Sequence, residues 1–148
     1  MKVGKYALFE PVEYKFKEEP DLWWKIKPPT SGDELDIARF LNRGKYVVST
    51  EGASREDAPT WIEIMHREIA LTFAGTNIAD DNDKPVLKEN ASVSGIEKVL
   101  KQLPHAMVLE LWEAIAEYCP GWGGKKQEGS EEDPNLERPE TSSQSMNN

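Results

Sequence analysis

A chain of 148 residues with 27 acidic and 18 basic side chains, formal charge −9, fits one domain and argues against binding along a nucleic-acid backbone, which takes clustered Lys and Arg. A single cysteine excludes an internal disulfide and any multi-cysteine zinc site. No apolar run nears the ~20 residues that span a bilayer, and no signal peptide is recognisable at Met1–Lys5, so the expected setting is cytoplasmic.

The N-terminal third reads as extended. KYALFEP, VEYKFK and DLWWKIKPP are short runs of aromatic and β-branched residues, punctuated by Pro11, Pro20 and Pro28-Pro29. In EYKFK, Tyr14 and Phe16 alternate with charge, the period of a strand with one face covered. In DLWWKIK, Leu22, Trp24 and Ile26 share one face and Trp23, Lys25 and Lys27 the other, which makes Trp23 the tryptophan expected to be exposed. Two or three antiparallel strands follow from this.

Helical signals take over at Thr30. Ser31 with Glu34 predicts a capping box, and Leu35, Ala38 and Leu41, with Ile37 and Phe40 beside them, predict an inward face. KYVVST (Lys45–Thr50) is β-prone and is followed by a polar loop, Glu51–Ala58. Pro59 opens the next helix, with Trp61, Ile62, Met65, Ile69 and Phe73 on one stripe and Gly75 as its stop. After an acidic, irregular Ile78–Lys88, a helix beginning at Ser94 carries Ile96, Val99, Leu100 and Leu103. Pro104 separates it from a last helix, in whose first turn that proline fits. There Met107, Leu111, Ile115 and Tyr118, widened by Val108, Trp112 and Cys119, form an apolar side with Glu110, Glu113 and Glu117 away from it. Pro120-Gly121 ends it.

The expected fold is therefore mainly α with a small N-terminal antiparallel β element, an α+β protein of about four helices. Residues 1–123 form a single globular domain, β-rich over 5–29 and helical over 31–119. Residues 124–148 hold no aromatic side chain and an acidic excess, the composition of a disordered tail.

No constellation in the sequence assembles catalysis. His66-Arg67-Glu68 matches half of a zinc deaminase signature, but the Pro-Cys-x-x-Cys half is missing. His66 and His105 lack an i, i+4 ligand partner and read as ordinary helix residues, even with Glu110 or Glu113 considered beside them. His105 and Cys119 lie on one helix roughly 20 Å apart, too far to hydrogen-bond. Asp80-Asp81-Asn82-Asp83 lacks the glycine of a calcium loop in either register and reads as a solvated turn. Gly121-Trp122-Gly123-Gly124-Lys125 lacks the strand and helix that flank a phosphate loop. The expectation is a non-enzyme with no cofactor, no metal and no catalytic residue. Five tryptophans point instead to core packing, with one or two on an interface, where Trp is over-represented among energetic anchors.

Between about Trp23 and Gly124 the pattern resembles the tail assembly chaperones of long-tailed bacteriophages and prophages. The likeness rests on WWKIKPPTSGDELDIARFL, a central helix ending in LTFAGTNI, a KPVLKE segment and the closing ELWEAIAEYCPGWGG. It implies a small, mostly helical cytoplasmic protein, absent from the finished virion, that coats the tape measure protein and helps bring in tail tube subunits. It also implies production in two lengths by ribosomal frameshifting, for which Gly123-Gly124-Lys125-Lys126 is a candidate place. Partner-binding then falls to Trp23, Trp112 and Trp122, with Trp112 the one most readily explained as core. The partners are proteins, with self-association open, and neither nucleic acid nor membrane. The alternatives are a minor structural tail or connector subunit, or an acidic module that mimics nucleic acid to bind a host protein.

Overall fold

The computed structural model describes residues 10–44, 46–49, 52–55 and 58–124. The start of the expected first strand and the acidic segment after Gly124 lie outside the described residues. Alternation in Leu22–Lys27 becomes strand β2 (Trp23–Ile26), with Trp24 and Ile26 buried and Trp23 and Lys25 on the other face. Strand β1 (Val12–Lys15) pairs with it antiparallel, Tyr14 opposite Trp24. The architecture is α+β as expected: among the described residues, four α-helices pack with a three-stranded antiparallel sheet.

Helix α1 (Ser31–Leu41) starts one residue earlier than the sequence suggests. Thr30, extended after Pro29, is the N-cap, and its box partner is Asp33, not Glu34. Its inward face is also narrower than expected. Only Ile37 and Phe40 are buried, while Ala38 is exposed and Leu35 and Leu41 are 51% and 49% exposed. At about 100° per residue, Leu35 points nearly opposite the middle of the Ile37–Phe40 face. After a 3-10 turn (Asn42–Gly44), part of the expected polar loop is instead a strand: β3 (Tyr46–Ser49) pairs antiparallel with β4 (Gly52–Arg55) in a separate two-stranded sheet.

Helix α2 (Trp61–Leu71) is capped by Thr60 with Glu63 and buries Met65, His66, Ile69, Ala70 and Leu71. The apolar stripe was expected to run on to Phe73, with Gly75 as the stop. The helix ends earlier, at Thr72, whose hydroxyl donates back to the Glu68 carbonyl at 2.8 Å, a bond that weakens and bends a helix. Phe73 then meets Trp24 edge to face at 4.9 Å. Phe73–Thr76 becomes strand β5 on the second edge of β2, giving the order β1-β2-β5. Gly75 sits at φ +144° beside a register shift at Lys25/Ile26, a conformation that a glycine allows.

Asn77–Asn90 crosses the surface. Asp80 there accepts from the amides of Asn82 and Lys84, closing a turn, and Ile78 and Leu87 are buried. Helix α3 (Val93–Leu100) is capped by Ser92 rather than starting at Ser94. Pro104 is the N-cap of helix α4 (His105–Tyr118) rather than a residue of its first turn, and its carbonyl accepts from Met107 and Val108. Val108, Leu111, Ala114, Ile115 and Cys119 line the core, whereas Tyr118 is exposed. Glu110, expected to point away, reaches β1: its carboxylate accepts from the Tyr14 hydroxyl and from the Lys17 amide at 2.8 Å. Burial first, and then this carboxylate, push the Tyr14 phenol well above its ordinary value.

On α2, Arg67 reaches Asp36 of α1 at 2.9 Å and Glu97 of α3 at 2.8 Å, with its guanidinium 4.4 Å from the Phe40 ring centroid. Among the described residues no helix is long and apolar enough to cross a membrane.

The chain does not leave the fold at Pro120. Residues 119–124 turn back along α4 as a strap: Trp122 is 5% exposed, and the Gly124 amide donates to the Trp112 carbonyl at 3.0 Å. The approach is so close that a Cβ at Gly123, itself at φ +91°, would lie 2.3 Å from the Ala116 nitrogen. A Cβ at Gly121 (φ +85°) would meet nothing within 4 Å. Gly121→Ala should therefore cost only the conformational penalty, about 1–2 kcal/mol. Gly123→Ala should cost roughly 3 kcal/mol or more, because backbone must move. Urea unfolding followed by tryptophan fluorescence checks the order; equal midpoints for the two variants would refute the packing.

Candidate functional site

The Thr60 cap fixes where α2 begins, and the first helical residue is Trp61. One turn short of Met65, it extends past the core and is 52% exposed, with Ile62 also exposed. Its ring stacks on Trp112 at 6.2 Å between centroids, with the planes 24° apart, and meets His105 edge on at 6.0 Å. His105 and Trp112 lie two turns apart on the same side of α4. Together the three make an aromatic row on the surface.

Trp112 is itself held from below. Its indole N–H donates to Glu68 Oε1 at 2.8 Å, and the same oxygen accepts the Gly123 amide at 2.8 Å. Gly124 lies so close to the indole that a Cβ there would come within 2.2 Å of a ring carbon. In the strap, Trp122 donates its indole N–H to Glu34 Oε2 at 3.0 Å, which ties the strap to α1. Burial raises the Glu68 carboxyl above its ordinary value, the two donated hydrogen bonds oppose this, and Glu34 adds to it. Burial likewise pushes the Cys119 thiol up to about 11, with its sulfur 3.8 Å from the Lys27 carbonyl. Such a thiol is a packing group, not a thiolate nucleophile. Burial holds His66 below the ordinary imidazole value, with Glu97 pulling the other way.

Of the tryptophans expected to bind a partner, Trp112 lies in this row. Trp122 does not: it is buried in the strap beneath α1, so its ring offers no surface. Trp23 is half-buried on the outer face of the sheet, with the Lys25 ammonium 5.3 Å from its ring and its amide bonded to Asn77, and makes no ring contact with the row among the described residues. Trp61 and Ile62 were expected on the inward stripe. Helical period puts them on the right side of α2, but it does not say where along the axis the core ends. The available signal was position: both lie in the first turn after a cap. Among the described residues no group of three or more His, Cys, Asp or Glu is placed to hold a metal ion.

The Glu68 carboxylate gives a pH prediction. Its folded value lies above the unfolded value near 4.5, so ionisation is disfavoured by folding. The destabilisation is fully present above the folded value and disappears as pH falls to the unfolded one. Glu68→Gln keeps an accepting oxygen without the charge, and should melt at the same or a higher temperature than the parent at neutral pH, the difference vanishing near pH 4. Glu68→Ala leaves the Trp112 and Gly123 donors unpaired and should melt lower at both. Thermal melts at the two pH values check this. Compared with protein-family models, curated proteins and solved structures, the chain matches none.

Proposed function

We propose that this protein is a tail assembly chaperone of the long-tailed bacteriophage kind, which binds the tape measure protein and tail tube subunits in the host cytoplasm while the tail is built. The observation that carries the reading is Trp61, a large aromatic ring half in water yet held on a rigid platform by Trp112 and, through it, by Glu68. An ordered tryptophan gives contact area without the entropy cost of fixing a loose side chain, which is the property of an interface anchor. A long helix with apolar stripes is bound by laying one stripe against such a surface. Trp61 and Ile62 supply the apolar contact, and His105 lies beside them. Trp112 positions the anchor more than it meets the partner. The sequence likeness supports a tape measure protein as that partner, and the exposed row supports the reading that it binds there.

Trp61→Ala removes the anchor while leaving the core intact, at a cost of about 1 kcal/mol in stability from the lost stacking. Co-expressed with the tape measure protein of the same phage or prophage, the parent chain should keep it soluble and co-purify with it. The Trp61→Ala, Ile62→Ser double variant should remain folded and lose most of the soluble complex. A folded double variant that solubilises the tape measure protein as well as the parent does would remove the row from the mechanism. Detection of the chain in purified virions would replace the chaperone reading with that of a structural subunit.

A further inference from the structure

On the α2 face turned away from the aromatic row, α1 and α3 form the walls of a shallow groove. A cavity of about 390 Å³ runs along α1 past Leu35, Arg39 and Phe40, and one of about 100 Å³ continues it past Glu63 and His66 to Lys101. Both share Phe40 and Arg67. The groove carries four basic against three acidic side chains in a molecule whose total charge is −9: Arg39, Arg43, Arg67 and Lys101 face Asp36, Glu63 and Glu97. The three acids are engaged by Arg67 and Arg43. The side chains of Arg39 and Lys101 make no hydrogen bond or ion pair among the described residues, and Leu35 beside Arg39 is half-exposed.

The same chain carries the matching chemistry. Residues 125–148 hold six acidic side chains against three basic ones, and three of the acids are consecutive, Glu131-Glu132-Asp133. Leu136 follows them, one of only two large apolar residues in the segment. We propose that residues 131–136 of this chain dock in the α1–α3 groove, the acids against Arg39 and Lys101 and Leu136 against Leu35. The strap fixes Gly124 against Trp112 on the far side of α2, a helix about 10–12 Å across. The seven residues 125–131, extended, span up to ~23–25 Å. Tethering makes the encounter intramolecular, so even weak surface ion pairs operate at a high effective concentration. This inference is independent of the chaperone reading.

Paramagnetic NMR on the full chain tests it. Ser130→Cys takes a nitroxide, because the buried Cys119 thiol, raised to about 11, stays protonated and unreactive. The amide signals of Leu35, Arg39 and Lys101 should lose intensity, while those of Lys25 and Thr76 on the sheet keep theirs. High salt should restore them, since exposed charge pairs are screened beyond a Debye length of ~3 Å at 1 M. So should either Arg39→Glu with Lys101→Glu, or Glu131→Gln with Glu132→Gln and Asp133→Asn. Loss of intensity confined to Trp61 and His105, or no loss at the groove, would overturn the proposal. So would the same loss in isotope-labelled chain mixed with separate nitroxide-bearing chain, which would assign the groove to the tail of a second copy.

Discussion

Removing a carboxylate from water is costly unless its oxygens are given donors, and Glu68 meets that condition with two pieces of chain at once. The indole of Trp112 and the amide of Gly123 both donate to its Oε1, so a single oxygen on α2 holds α4 and the strap together. The surface depends on this in turn. The hydrogen bond and the packing of Gly124 against the ring together orient Trp112, on which Trp61 stacks. The neighbouring Arg67 does the corresponding work on the other side of α2, reaching α1 and α3 with two nitrogens of one guanidinium. Two adjacent residues of opposite charge thus join α2 to each of the other three helices.

The division between these two sides is also a division of chemistry. Toward α4 and the strap the contacts are aromatic, with the Glu68 carboxylate partly buried and its pKa raised by that burial. Toward α1 and α3 they are ionic and half-open to water, where individual pairs contribute little and are weakened by salt. An apolar partner and an acidic segment would therefore seek different faces of the same helix, and occupancy of one leaves the other accessible.

Much of the fold was legible in the sequence, and the failures have physical causes. Strict alternation in Leu22–Lys27 gave the central strand and its buried face, because a period of two allows no other assignment. Helices α2, α3 and α4 followed from apolar spacing, each within a residue or two of its true start. Strand β5 was missed because Phe73 continues the α2 stripe in phase; only the Thr72 back-bond and the distant Trp24 ring, fifty residues earlier in the chain, divert it. Strand β4 was missed because Gly52–Arg55 has no strand-like composition and pairs only through its neighbour β3. At the surface the sequence put Trp61 on the core stripe and gave no sign that Trp122 is buried. Both concern where the core stops along the chain, which depends on what packs across and not on the local period. The return of the strap is the clearest case: a Pro-Gly stop reads as an exit, and the following Trp and two glycines read as linker, until the close approach to Ala116 and Trp112 is seen.

That return has a practical geometry. Because Gly123 and Gly124 are clamped between Ala116, Trp112 and Glu68, the polypeptide has a fixed point of departure beside the aromatic row, whatever sequence comes next. A fluorophore, affinity handle or crosslinker meant to leave that row clear therefore belongs away from Gly124, for example at the exposed Asp80–Asp83 turn.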